Sequence, residues 1–460
     1  MAKTVNVSAV LDEGRWTGYQ KLLIVGTALT IILDGIDNQL LPNAVPKLMS
    51  EWHQDRTAFN SALSTGPFGM MIGGALGGYL GDRVGRRTAL LGSVITFAIL
   101  TLAVAWANSL TTLAIFRFVA GIGLGGAMPN AAALAAEYVP RRQRPFAVTL
   151  TIVCIPLGGV VAAQLAGAMI ETHGWQSLFI ACGAGSLVLG ALLFFILPES
   201  PRYLARHHER WPELSTLMQR MGHDVPAGAT FVESDRPASA RGTISLGEIF
   251  APEYLRDTLA LCASFFFCLM VNYIGIQLIP VVFTGSGFVR PDANRILAWF
   301  NWGGVAGAIF GAMFIKQWGS RVAMLSMSAL AVVVGVVLSQ MMVAPVPSAP
   351  DQLPASYQLI ALMILGGGLL NGVQTTMYAL AANVYPTEIR GTGVGTAVAF
   401  GRIGNVLAAY VGNYALTVGK NPGYFLSWSI AMGIVLLTLA AVSRHIPRTR
   451  DLYEAMPAKA

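Results

Sequence analysis

Asp34 and Asp37 stand three residues apart in Leu33-Asp34-Gly35-Ile36-Asp37-Asn38-Gln39, within a run that is mostly apolar from residue 22 to 43. In a helix that spacing puts both carboxylates on one face. Two neighbouring carboxylates repel when both are ionised, and a proton between them relieves the repulsion; this is the chemistry of a proton carrier. The same pair would equally serve as a structural ion pair, or as a cap at a helix break around Gly35. Two cations, Arg117 and Arg402, lie in similarly apolar surroundings. A guanidinium holds a carboxylate through two parallel hydrogen bonds. Arg117 is therefore a candidate partner for the acid pair, and Arg402 a candidate to capture an anionic substrate. For Arg402 the structural alternative is bonding to backbone carbonyls.

The elements that carry these residues follow from composition. The 460 residues are 54% hydrophobic and 12% charged, against about 25% charged in a soluble domain. A large soluble enzyme and a disordered chain are both excluded. A helix needs ~20 mostly apolar residues to cross the hydrocarbon, and twelve such runs are present. They fall near 22–43, 58–80, 89–107, 111–136, 146–170, 176–197, 258–283, 294–315, 322–343, 357–382, 393–418 and 424–443. None has the short alternation of a membrane β-barrel. The fold class is an all-α membrane protein with twelve transmembrane helices in two six-helix halves. No cleavable leader is visible, so the first run reads as a retained span.

Of the 30 Lys and Arg, 23 fall on one side of these spans and 5 on the other. Cations collect on the cytoplasmic side, so both termini are expected inside a cell (inner) membrane. The same bias accounts for the net charge of +7, and no nucleic-acid partner is expected. The polar stretch 198–257 separates a first half, 1–197, from a second, 258–460. Shifting the first half by 246 residues lays Ala133-Leu134-Ala135-Ala136 on Ala379-Leu380-Ala381-Ala382, Pro140 on Pro386 and Arg144 on Arg390. A parallel repeat of this kind is a transporter architecture, with the substrate site between halves near the midplane. At 1.5 Å per residue, Asp37 lies ~22 Å above the inner end of its span and Arg117 ~9 Å below the outer end of its own, the same level in a ~30 Å core. Arg402 lies ~14 Å from the inner surface, near the midplane.

Other polar residues inside spans are candidates to line a cavity: Asn130, Asn272, Tyr273, Gln277, Trp299, Asn301, Trp302, Asn371, Gln374, Tyr378 and Asn405. Each would serve as well in a helix–helix hydrogen bond or in packing. All six histidines fall in loops or tails, so no histidine relay through the membrane is expected. The four cysteines, Cys154, Cys182, Cys262 and Cys268, lie in apolar runs at spacings that fit no zinc site. Gly121-Ile-Gly123-Leu-Gly125-Gly126 satisfies G-x-G-x-x-G, but no strand precedes it; close helix packing is the better account. No phosphate-binding G-x-x-x-x-G-K-[ST] run occurs. No cofactor, metal or catalytic constellation is expected, and energy must come from a gradient.

The loop Gly78-Tyr-Leu-Gly-Asp82-Arg83-Val-Gly85-Arg86-Arg87 combines glycines, one acid and three cations in a tight turn. It resembles the signature of the major facilitator superfamily. Leu113 to Gly121 around Arg117, Pro198-Glu199-Ser200-Pro201-Arg202, and Tyr385-Pro386-Thr387-Glu388-Ile389-Arg390-Gly391-Thr392-Gly393 are similar to further motifs of that superfamily. Asp34-Gly35-Ile36-Asp37 resembles the D-G-x-D pattern of its aromatic acid:proton symporters. Gly123 to Asn130 with Ala136-Glu137-Tyr138, and Gly395 to Arg402, are similar to their fourth and eleventh spans. The second half departs at Leu278-Ile279-Pro280, where the family often has Trp before Leu-Pro. It departs again at Lys316, where a second copy of the loop motif would carry an acid, and at Ala408-Ala409, in place of Gly-Pro.

The resemblance implies proton-coupled uptake of benzoate-, hydroxybenzoate- or phenylpropionate-like anions by alternating access. It implies proton coupling at Asp34, Asp37 and Arg117. Substrate contact is expected at Arg402, Asn130, Tyr273, Gln277, Asn301, Trp302, Gln374 and Tyr378. An inner gate is expected at Gly78, Asp82, Arg83, Gly85, Arg86, Glu137 and Arg390. The expected partners are the organic anion, a proton and the bilayer, with a monomer as the working unit. The alternatives on the same fold are transport of another organic anion or a sugar, and proton-antiport efflux.

Overall fold

A computed structural model describes residues 4–14, 16–140, 144–223, 225–226, 229–232, 246–342, 353–386 and 389–447. A short strand β1 (Thr4–Asn6) and helix α1 (Val7–Glu13) lead into α2 (Gly18–Trp52). Thr17 and Gln20 cap α2 reciprocally, each side chain bonding the other's backbone, which satisfies amides a helix start leaves unpaired. There follow α3 (Asn60–Val84), α4 (Arg86–Val104), α5 (Leu110–Tyr138), α6 (Arg144–His173) and α7 (Trp175–Ile196). Two short helices, α8 (Pro201–Ala205) and α9 (Trp211–Arg220), and a strand β2 (Thr230–Val232) connect to α10 (Pro252–Gly285). The chain ends with α11 (Arg290–Met341), α12 (Leu353–Val384) and α13 (Arg390–Ala441).

Two of these run past a break. Gly319 at φ 77° divides α11 into two limbs, and Lys420 at φ 51° divides α13. Among the described residues nine helices are long and apolar enough to cross a membrane, α11 and α13 included. With each limb taken separately and α3 added, each of the twelve expected spans falls mainly on one helix. The chain is a multi-pass all-α membrane protein. Its periphery shows what a lipid solvent permits: Phe195 is 82% exposed, and Leu437 and Tyr414 are 72% exposed. A soluble surface seldom carries such a girdle.

Successive spans alternate in direction. One end of the bundle, called proximal here, holds α1, α8, α9 and the two strands; the other end is distal. β1 pairs in parallel with β2, Val5 opposite Phe231. Val7, Leu11, Leu204, Leu214, Leu217 and Phe231 join the hydrophobic core of α2, α4 and α5, so this proximal cap is fastened to the first half. A separate core around Phe265, Phe283, Phe300, Phe425 and Trp428 holds α10 to α13.

Glycine lets some helices touch backbone to backbone. A Cβ on Gly69 would stand 2.1 Å from the carbonyl oxygen of Phe118, and one on Gly73 2.0 Å from that of Ile122. From the other side, Gly121 and Gly125 of the G-x-G-x-x-G run meet the carbonyls of Gly66 and Met70, each at 2.2 Å. That run is the α3–α5 seam, as close packing requires. Gly303 and Gly307 meet α12 in the same way, each 1.9 Å from a carbonyl oxygen. Gly35 is a third case. α2 is unbroken around it, so the helix-break alternative is set aside. A Cβ there would stand 2.1 Å from the Ile155 carbonyl of α6.

Candidate functional site

Because Gly35 presses α2 onto α6, the two flanking acids meet different neighbours. Asp37 is held by α4 and α5. Arg117 Nη1 donates to one carboxylate oxygen at 2.8 Å, and Thr101 Oγ1 donates to the other at 2.8 Å. Arg117 Nη2 also reaches the Asp37 carbonyl at 3.3 Å. All three side chains are buried. The expected Asp–Arg partnership thus forms with Asp37 alone.

Among the described residues, Asp34, 2% exposed, has a single hydrogen-bond donor to its carboxyl, the Asn38 amide, at 3.1 Å. It faces the second half. Tyr273 on α10 donates its hydroxyl to Asn38 at 3.2 Å. The charges of Asp34 and Arg402 act on each other and on Tyr273, and Arg402 also acts on Tyr378. Among the described residues, no hydrogen bond or ion pair engages the Arg402 guanidinium, and it remains partly exposed. Around it, Asn272 donates to Gln374 and, at 3.2 Å, to Asn371. The Tyr378 ring packs edge-on against Phe265, centroids 5.2 Å apart. The junction of α2, α10, α12 and α13 therefore offers one uncommitted cation, one buried carboxyl, two phenols and several amides. That set has the chemistry that orients a small organic anion: a cation, amides and aromatic rings around one place.

Four expected contacts are not brought to this junction. Asn130 donates to the carbonyls of Gly77 and Gly126, both at 2.8 Å, and clips α5 to α3. Trp302 is 44% exposed on the helix face that carries Ile309, Phe310 and Met313, away from the buried Asn301. Asn301 itself exchanges two hydrogen bonds with Gln39 of α2. Gln277 donates to the Leu63 carbonyl of α3 at 3.2 Å. These last two belong to a distal seal. Asn413 with Asn60, Arg56 with Thr417, and Arg290 with Glu171 and Ser50 continue it outward.

The expected gate residues lie at the proximal end, and most of them meet. Arg86 Nε pairs with Glu137 at 3.1 Å and, more loosely, Arg86 Nη2 pairs with the mostly exposed Asp82 at 3.5 Å. Arg83 lies over the Tyr79 ring at 4.6 Å. Gly85 has φ 102°, and a Cβ there would stand 2.3 Å from Glu199. Gly78 touches nothing a Cβ would meet. The Arg390 side chain lies outside the described residues, as do Thr387 and Glu388. Sequence reasoning left Glu199 and Ser200 unassigned. Glu199, 1% exposed, accepts from the amides of Arg87 and Ser200, both at 2.9 Å, and so caps α4. Ser200 donates to Glu137 and caps α8. Their motif was visible; its partners were not.

The comparisons agree with this reading of the fold. A family model described as Major Facilitator Superfamily matches residues 27–289. A 4-hydroxybenzoate transporter of Acinetobacter baylyi is 30% identical, over 96% of this chain and 93% of its own. A gallate transporter of Pseudomonas putida is 30% identical over 90% of each chain. A 3-(3-hydroxy-phenyl)propionate transporter of Escherichia coli is 30% identical over 93% and 95%. Among solved structures, a D-xylose–proton symporter superposes with TM-score 0.66 at 19% identity, covering 94% of this chain and 99% of that one. An inward-open xylose transporter from E. coli gives 0.66 at 18%, over 95% and 100%. These two show the fold alone. The chain belongs to the major facilitator superfamily, in its family of aromatic acid transporters.

Proposed function

We propose that this chain is a carrier, not an enzyme, that imports an aromatic carboxylate together with a proton across the inner membrane. The observation that carries the reading is the uncommitted guanidinium of Arg402, set beside Asp34 where the two halves meet. The similarity to transporters of 4-hydroxybenzoate, gallate and 3-(3-hydroxy-phenyl)propionate supports an aromatic acid as cargo. The excess of Lys and Arg at the proximal end supports a cytoplasmic placing of both termini. On this reading 1–197 and 258–460 are the moving halves, and 198–257 is a cytoplasmic connector.

The coupling follows from charge. Without cargo, Arg402 balances an ionised Asp34. A bound carboxylate takes up the Arg402 charge, and an ionised Asp34 would then face an anion in a dry site. A proton on Asp34 removes that repulsion, so anion and proton favour each other's binding. Asp37, held by Arg117 and Thr101, stays the fixed member of the pair. Tyr273, Gln374 and Tyr378 surround the ring of the cargo. Arg86, Glu137 and Asp82, paired within the first half, shape that half's side of the proximal gate, which opens as the distal seal closes.

The test is uptake of labelled acids into proteoliposomes under an imposed inward proton gradient, using benzoate, hydroxybenzoates, phenylpropionates, a dicarboxylate and xylose. Concentrative uptake of an aromatic acid, abolished by a protonophore, is expected. Arg402→Ala should weaken binding of that acid by roughly 10- to 100-fold, the scale of a charged hydrogen bond, and Asn405→Ala by much less. Uptake of the sugar or dicarboxylate alone, or proton and acid moving in opposite directions, would overturn the assignment.

A further inference from the structure

Asp34 is tied to the second half through one intermediary, Asn38. The Asn38 amide nitrogen donates to the Asp34 carbonyl at 2.9 Å and to its carboxyl at 3.1 Å. The Asn38 side-chain oxygen accepts from the Tyr273 hydroxyl of α10 at 3.2 Å. These partners fix which way the amide points. Turned over, its oxygen would face the carbonyl and the carboxylate of Asp34, and the Tyr273 proton would lose its acceptor. The phenol thus holds the amide as a donor to the carboxyl.

Asn38 precedes Gln39, and Tyr273 stands about one helical turn before Gln277. Gln39 bonds Asn301 and Gln277 bonds the Leu63 carbonyl, both in the distal seal. The Tyr273–Asn38 bond therefore crosses between the halves at the edge of that seal, and parting the distal ends must break it. Other groups bear on the same place. Asp34 faces the charges of Arg402 on α13 and Asp37 on its own helix. Tyr273 faces those of Asp34, Arg402 and Arg117, and the Tyr378 phenol of α12.

Resting on the import reading above, we propose that Asn38 is a positioning residue that ties the proton on Asp34 to the state of the distal seal. With the seal shut, Tyr273 holds the amide as a donor, and a donor favours the ionised carboxylate. The proton then leaves Asp34 for water at the proximal end. With the seal open, Tyr273 withdraws. The released amide can turn its oxygen to accept from the protonated carboxyl, which favours loading from the distal side. A phenol beside the cargo thus governs, through one amide, the side on which the proton comes off.

The test uses the full-length protein in proteoliposomes whose internal pH is set independently of the external pH. Asn38→Leu keeps the volume and removes both donor and acceptor. Gradient-driven uptake of an aromatic acid at neutral internal pH should fall about tenfold, the low end for a hydrogen bond to a charged group. It should recover when the interior is made about one pH unit more alkaline, since one unit answers a tenfold change in proton affinity. Counterflow exchange, which carries the bound proton through, should persist. Tyr273→Phe removes the lock and keeps the ring. It should show the same recovery in an alkaline interior whatever its cargo affinity, and the double variant no more than either single one. Undiminished uptake in Asn38→Leu overturns the proposal, and so does an equal loss of uptake and counterflow in a folded variant. So does uptake that an alkaline interior does not restore, or a Tyr273→Phe variant with the wild-type dependence on internal pH; that variant decides alone where Asn38→Leu fails to fold. Wild-type uptake indifferent to a protonophore would instead overturn the import reading, and this proposal with it.

Discussion

The carboxamides of Gln39 and Asn301, 262 residues apart in sequence, face each other and exchange both hydrogen bonds at 2.8 Å. They fit because Gly159 of α6 has no side chain; a Cβ there would stand 2.1 Å from Gln39 Nε2. The pair ties α2 to α11 across the interface that must part for distal opening. Asn301→Ala leaves a buried amide without a partner, at a cost of about 1–3 kcal/mol. The open-to-closed ratio at the distal end should rise by roughly 5- to 100-fold. A cysteine placed at Leu63 and exposed to a membrane-impermeant maleimide reports this, because the four native cysteines are buried. Unchanged labelling would show that the pair does not hold the seal.

The two acids of α2 should separate in experiment. Arg117→Leu leaves the buried Asp37 carboxyl without its cation, and removing one member of a buried ion pair costs about 3–5 kcal/mol. Thermal unfolding in detergent should move down sharply. Asp34→Asn keeps a hydrogen-bonding group beside Asn38 and should leave the melting temperature nearly unchanged while abolishing proton-driven accumulation. Counterflow exchange, which needs no gradient, should survive in Asp34→Asn. Gradient-driven uptake persisting in that variant would remove Asp34 from the coupling.

The acid pair shows how far the sequence reaches. Its position, its depth and the availability of Arg117 were legible, because an ionisable residue in an apolar run has few explanations. Which acid takes the arginine was not. That depends on Gly35 seating α2 on α6, which turns the two carboxylates to different neighbours. Asn38 and Gln39 carried a signal, being polar four and five residues beyond Asp34 inside a span. Thr101 carried none, since a hydroxyl in an apolar helix can always bond its own backbone. Asn130 and Trp302 misled for a related reason: residue type marks a polar or aromatic side chain, while the helix face decides what it meets.

Gly85 is the residue of the proximal gate least open to change. Its φ of 102° is strained for any side chain, and the space beyond belongs to Glu199. Gly85→Ala should cost about 1–3 kcal/mol in backbone strain alone, with the cap on α4 displaced as well. A fall in melting temperature that Glu199→Ala partly relieves in the double variant would confirm that the two residues compete for one place. Strict additivity would exclude it.

His223, which follows α9, gives the proximal cap a dependence on pH. Burial holds its imidazole below the ordinary value of 6.5, and among the described residues its Nε2 has no partner. The folded state therefore binds protons less readily than the unfolded chain, and stability rises with pH. The contribution is complete above about pH 6.5 and is lost as pH falls through the lowered value. Amide exchange in 4–14 and 211–223 should quicken on acidification, and His223→Gln should flatten that response. Exchange that is indifferent to pH in the native protein would refute it.

The glycine seams between α3 and α5 and between α11 and α12 bear on how such a protein can diversify. Along them a single added carbon has nowhere to go, so their residues have almost no acceptable replacements. Tyr273, Gln374 and Tyr378 meet none of the seam glycines. On the proposed site, stiffness and selectivity thus rest on different residues, even where both lie on α12. A lineage with this layout can exchange its cargo through a handful of substitutions near Arg402 and inherit the frame unaltered.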